Sequence, residues 1–122
     1  MDAPLNAGDV AWVVLDPVLG TEQAGRRPAL VLTDDSYHKR ARRALVAPIT
    51  RNRRPWTFHV PIPSGHEVEG AVMVDQVRMI DRDARIFEVF TSLPEETLAE
   101  VRGRPAALVG LGPVRTSIKE VT

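Results

Sequence analysis

The chain has 122 residues, which suits a single domain with one modest core, and its 43% apolar and 26% charged residues are those of a soluble globular protein. Sixteen basic side chains balance sixteen acidic ones, and cysteine is absent, which excludes disulfides and thiolate metal sites. No apolar run approaches the roughly 18 residues of a membrane span. The opening "MDAPLNAGD" lacks the basic and apolar regions of a secretion signal, so the expected location is the cytoplasm.

In chain order, "DVAWVVLD" (9–16) is predicted as a first strand, β-branched and apolar on both faces. "DPVLGTEQAGRR" is a loop opened by Asp16-Pro17, with Gly20 and Gly25 supplying turn freedom. "PALVLT" is a second strand, with Pro28 at its first position. "DDSYHKRAR" forms a short helix or an irregular excursion. "ALVAPIT" is a third strand, in which Pro48 argues for an edge or a bulge, and "RNRRP" is a turn. "WTFHVPIP", "GAVMVDQV" and "IFEVFTS" are three further strands. "SLPEETLAEV" opens a helix, with Ser92 as N-cap and Glu95 at capping-box spacing; Leu98 and Val101 should face the core. Gly103 and Pro105 should break or kink it, and residues 112–122 read as a loosely held tail. Six short strands separated by Gly- and Pro-marked turns suggest a small antiparallel barrel.

The zero net charge hides an asymmetry. Between Asp35 and Glu67 there is no acid, yet Lys39, Arg40, Arg42, Arg43, Arg51, Arg53 and Arg54 fall there. From Glu67 to Glu100 nine acids face Arg78, Arg82 and Arg85. A basic segment in a neutral chain points to a local anionic ligand. Within it, "TRNRRPWTFH" interleaves arginines with Trp56 and Phe58, cations that can follow phosphates beside rings that stack bases or pack in the core. The basic run 38–43 either widens such a track or solvates a loop. In the loop before the second strand, Glu22, Gln23, Arg26 and Arg27 crowd together, and Pro28 forces Arg27 toward an extended backbone. On spacing alone Arg27 and Glu22 could equally form an idle surface ion pair.

"GDVAWVVLDP", "GTEQAGRRPALVL", "APIT" and "VDQV" resemble the MazF/PemK toxins of bacterial toxin–antitoxin systems, over about residues 8 to 111 of a single domain spanning 1–122. The resemblance implies an SH3-like small barrel (CcdB/MazF-like) with short helices and a C-terminal helix. It implies a homodimer that cuts single-stranded RNA, usually mRNA, at specific sequences without a metal or other cofactor, and a cognate MazE-like antitoxin with an acidic tail. The family's catalytic Arg and Thr fall on Arg27 and Thr50, and its acid on Glu22. Arg offers a planar fork suited to phosphate and holds its own proton tightly, so a clamp on the phosphorane is the expected role of Arg27. Thr50 can donate its hydroxyl; Glu22 either takes the 2′-OH proton or orients Arg27.

The remaining RNA contacts are expected from Gln23, Arg26, Arg51, Arg53, Arg54, Trp56, Phe58, Asp75 and Gln76. Family members with an Arg two residues before the Asp of "DQ" pair that Arg with the Asp; here Met73 stands in its place, so that scheme does not transfer whole. Asp75 and Gln76 either bind RNA or serve as half-buried hydrogen-bonders fixing the Arg27 loop. His59 is a further candidate proton shuttle. His38, His59 and His66 show no metal-ligand spacing. Loops 17–27 and 51–58 should set the recognition sequence. Two rival classes are a non-catalytic CcdB-like toxin that poisons a protein such as gyrase, and an SH3-like peptide adaptor, for which one Tyr and two Trp are poor equipment.

Overall fold

The third strand organises the molecule. In the computed structural model, which describes residues 4–15, 26–108 and 110, seven strands form one antiparallel sheet. They are β1 (Asp9–Val14), β2 (Arg26–Val31), β3 (Arg43–Thr50), β4 (His59–Pro61), β5 (Ala71–Met73), β6 (Arg78–Asp81) and β7 (Ile86–Ser92). Their order is β4-β5-β3-β2-β1-β7, with β6 also on β3. The helices are α1 (Asp35–His38), α2 (Arg82–Arg85) and α3 (Glu95–Leu108). The sheet is strongly bent rather than closed, a barrel-like fold of mostly β type with short helices and a C-terminal helix.

β5 and β6 follow one another along the same edge of β3. β5 pairs Val72 with Ile49 and Ala71 with Thr50, and β6 pairs Arg78 with Val46 through to Asp81 with Arg43. Between them the chain leaves the edge in a 3-10 turn, Val74–Gln76. Pro48 sits on β3 in the gap. A proline cannot donate to a ladder, and the partner strand steps out beside it. The edge or bulge expected from Pro48 is not found: β3 is a central strand paired in unshifted register with β2 at Pro48, and what changes beside it is the partner on the other side, so the predicted strand 70–77 is cut at Met73.

Alternation along the central strands buries both sheet faces. Val10, Leu30, Ala47 and Ile49 point into one cluster, which Val60, Ile62, Val72, Leu98 and Val101 complete. Ala11, Val13, Ala29, Val31, Ala44 and Val46 point into a second, closed by Leu5, Leu15, Ile80 and Ile86. The buried His38 ring ties the N-terminal segment to this frame: its Nδ1–H donates to the Leu5 carbonyl and its Nε2 meets Thr33 Oγ1, both at 2.7 Å. Asp34 caps α1, and its carboxyl is held below the ordinary range by the Ser36 hydroxyl and then by the Tyr37 amide.

Several sequence expectations need correction. "RMID" is a seventh strand; only Ile80 of its four residues is buried, too short an alternation to read. Trp56, Thr57 and Phe58 precede β4 rather than belonging to it. Ser92 pairs with Asp9 at the end of β7, so it is not the helix cap; the Pro94 carbonyl accepts the first helical bond, from Leu98. α3 also runs unbroken through Gly103 and Pro105. Leu98 and Val101 anchor it to the core as expected, and Arg104 ties its last turns to Glu100, four residues back, and to the Thr57 carbonyl. Those contacts outweigh the one backbone bond that Pro105 removes. Residues 112–122 lie outside the described residues, as does most of the predicted loop 16–27.

Candidate functional site

The pairing of β2 with β3 joins Val31 to Val46, Leu30 to Ala47 and Ala29 to Pro48. The ladder ends there; continued by two residues, its register would set Arg27 across from Thr50. Both lie on the face shared with Ala29, Val31 and Val46, since side chains two apart on a strand point the same way. The stiff Arg27-Pro28 step keeps the exposed guanidinium's backbone extended, opposite Val13 of β1. Thr50 is half-buried, and its Oγ1 accepts the Asn52 amide at 3.1 Å. That bond leaves the hydroxyl proton to be donated elsewhere.

Arg27 lines a cavity of about 160 Å³ with Leu15, Pro48, Met73, Gln76 and Arg78. The step-out at Pro48 brings Gln76 here. Arg78, the first residue of β6, brings a second guanidinium to the cavity where Met73 supplies no charge. Sequence reasoning missed Arg78 because its strand was not recognised. It missed Gly70 as well, whose φ is +121° and whose missing side chain would overlap the Thr50 carbonyl. A Gly opening a short apolar run was the available signal. Thr50 thus rests on a position that only glycine can fill without displacing it.

Arg51, Arg53 and Arg54 are all exposed, and no ion pair joins them to other described residues. The backbone that carries them is braced by Asn52, whose Oδ1 accepts the Arg54 amide at 3.2 Å. The three do not converge. Arg53 and Arg54 line a cavity of about 330 Å³ with Trp56, His59 and Arg104. Arg51 belongs to another, of about 570 Å³, with the Trp12–Phe90 stack, Pro28 and Glu69. That larger hollow lies on the opposite face of β1–β3 from Arg27, as the alternation requires. Size here does not mark the chemistry.

Trp56 donates its indole N–H to Asp75 Oδ2 at 3.2 Å and meets Phe58 edge to face at 5.6 Å. Phe58 is half-buried against the core, while Trp56 keeps 47% of its surface exposed. Asp75 and Gln76 are both exposed, not half-buried, because they ride the turn that leaves the sheet. Asp75 holds Trp56. Arg26 is exposed opposite Val14, while Glu22 and Gln23 lie outside the described residues. The basic run 38–43 sits at the far end of β3, where Lys39 pairs with Asp35 at 3.3 Å and Arg42 with Asp83 at 3.6 Å. Among the described residues no three His, Cys, Asp or Glu side chains group in a way that could hold a metal ion, and no helix is long and apolar enough to cross a membrane.

A small mostly β sheet with short helices, and an exposed cationic, aromatic-bearing segment directly after Thr50, defines a small barrel-like domain. The protein belongs to the PemK-like, MazF-like toxins of type II toxin–antitoxin systems, whose family model matches residues 6–108. It is 35% identical to the endoribonuclease toxin MazF of Escherichia coli K12 over 105 residues, 86% of this chain and 94% of the relative. The crystal structure of MazF from Deinococcus radiodurans aligns with a TM-score of 0.79 at 36% identity, covering 89% of this chain and 99% of that one. A MazE–MazF complex from the same organism aligns with a TM-score of 0.76 at 30% identity, covering 91% of this chain and 100% of that one.

Proposed function

We propose that this chain is a sequence-specific endoribonuclease toxin of the cytoplasm, cutting single-stranded RNA, chiefly mRNA, without a metal. The same reading includes a homodimer and inhibition by a cognate MazE-like antitoxin. The observation that carries it is the cavity that Arg27 lines with Gln76 and Arg78, on the sheet face to which alternation also assigns Thr50. Relatives named as endoribonucleases that align over most of the chain support it, as do structures of MazF bound to MazE. Those names favour a nuclease over the gyrase-poison and peptide-adaptor readings.

In this mechanism the ribose 2′-oxygen loses its proton and attacks the adjacent phosphorus. The bond to the 5′-oxygen breaks, and that oxygen takes up a proton. The products are a 2′,3′-cyclic phosphate and a 5′-hydroxyl. Arg27 clamps two phosphoryl oxygens through its fork as charge grows on them. Thr50 donates its hydroxyl to the phosphoryl group, held in place by the Asn52 amide and by Gly70. Glu22 receives the 2′-OH proton or orients Arg27. Gln76 and Arg78 line the same cavity and add a donor amide and a further positive charge. Arg53, Arg54 and Trp56 hold the flanking chain, and in the same reading Gln23 and Arg26 are further RNA contacts.

The test is purified protein with a long single-stranded RNA in EDTA, followed by sequencing of the cut ends. Cuts at a recurring sequence with cyclic-phosphate ends are expected. Intact RNA, or cutting equal to that of Arg27→Ala protein, would end the proposal.

A further inference from the structure

The cavity between the 53–56 segment, β4 and α3 is distinct from the one that Arg27 lines. At about 330 Å³ it falls at the small end of ligand pockets, which run from roughly 300 Å³ upward. Arg53, Arg54 and Arg104 line it, and no carboxylate does. Arg104 is fixed by its contacts with Glu100 and the Thr57 carbonyl, so the cavity wall is braced from the helix side. Trp56 is also fixed. Its N–H is committed to Asp75 and its ring to Phe58, yet nearly half of its surface is open. An aromatic face that is exposed and cannot swing is a stacking platform whose ordering is already complete.

His59 lines the cavity as well. Its Nδ1 is sealed from solvent and has no hydrogen-bond partner. Buried N–H groups without an acceptor are rarer than buried acceptors without a donor. The ring proton therefore belongs on Nε2, the nitrogen left to meet the cavity. A single N–H donor beside a flat ring and several guanidinia matches a nucleotide: one acceptor on a base edge, a π face, and a phosphate. A carboxylate would use the arginines and the donor but leave the ring face idle.

We infer that this cavity seats one nucleotide of single-stranded RNA flanking the cleaved linkage, with its base on Trp56 and its edge read by His59. The inference rests on the RNA-cleavage reading and adds a specificity position to it. His59 is then a specificity residue rather than a proton shuttle.

The test uses binding, so that it stands apart from cleavage. Arg27→Ala protein is used to select from a randomised single-stranded RNA pool, alone and combined with His59→Leu or His59→Gln. One base enriched at one position is expected with Arg27→Ala. The preference should fall roughly tenfold with His59→Leu, the scale of one missing hydrogen bond, and persist with His59→Gln, whose amide can replace the donor. The enriched RNA should quench Trp56 emission in a Trp12→Phe background. If His59→Leu lowers the thermal midpoint, Trp56→Leu is the second variant and should erase the same preference. An unchanged preference in these variants, or no enrichment at all, overturns the inference. So does quenching by poly-glutamate and not by RNA, which would mark a protein segment as the occupant. Failure of the parental protein to cut RNA would show separately, in the cleavage assay.

Discussion

The indole N–H of Trp56 donates to Asp75 Oδ2 at 3.2 Å, across the gap between the segment after β3 and the turn after β5. Gln76, the next residue, lines the cavity of Arg27. One short turn therefore contacts both the stacking ring and the candidate catalytic cavity. Asp75→Ala should free the ring without disturbing the fold, because the bond is exposed and such bonds contribute about 0.5–1.5 kcal/mol. The expected result is a higher KM with kcat nearly unchanged, and a lower steady-state anisotropy of Trp56 emission. A fall confined to kcat would instead place Asp75 in the proton transfer.

Arg27→Ala and Thr50→Ala should each lower cleavage by roughly 10²–10³, the usual consequence of losing one donor to a charged transition state. Arg27 is exposed and Thr50 ends its strand, so thermal midpoints should change little. The double variant should lose much less than the product, because both groups act on one phosphoryl group. Single-turnover cleavage of an RNA oligonucleotide measures all three. Arg27→Lys should recover only part of the rate, since an ammonium lacks the fork.

Gly70→Ala tests the support beneath Thr50. Its φ of +121° alone implies about 1–3 kcal/mol of strain for a side chain. The new methyl would also overlap the Thr50 carbonyl. Gly65 is the control: its φ is +93°, but nothing lies within 4 Å of an added Cβ. Urea denaturation should show Gly70→Ala losing clearly more stability than Gly65→Ala. Cleavage by Gly70→Ala protein at a stabilising temperature should remain low, and Gly65→Ala should cut normally.

The two halves of the basic segment should behave differently in salt. Arg53→Ala or Arg54→Ala should weaken binding to single-stranded RNA and reduce the slope of log affinity against log salt by roughly 0.7 for each phosphate no longer neutralised. Lys39→Ala and Arg42→Ala should leave that slope unaltered, because those cations are paired with Asp35 and Asp83 at the other end of β3. Equal effects from both ends would mean that the RNA track runs the length of the strand.

Much of this arrangement can be read from local chemistry. The β-branched runs at 9–14 and 44–50 had to be strands, and their double-sided apolar character required a sheet covered on both faces. Leu98 and Val101 marked the buried side of α3. Arg27 and Thr50 came from motif rather than geometry; alternation assigns both to one face of the sheet. The misreadings share a cause. "RMID" and the unbroken course of α3 depend on partners distant in sequence: β3 holds the first, and Thr57 with the core holds the second.

By itself, the sequence determined which segments must bury apolar side chains, where the backbone had to turn, and which stretch carries a run of guanidinia with no carboxylate between them. Tertiary structure decided which of those cations stand together. It separated Arg51 from Arg53 and Arg54, brought Arg78 to Arg27, gave Trp56 to Asp75, and set His59 beside Arg104. The physical reason is that pattern and propensity act over a few residues, whereas a cavity is made by side chains whose proximity follows from strand register. Beside Pro48 the free edge of β3 passes from β5 to β6, and that break places Gln76 beside Arg27 and Asp75 against Trp56.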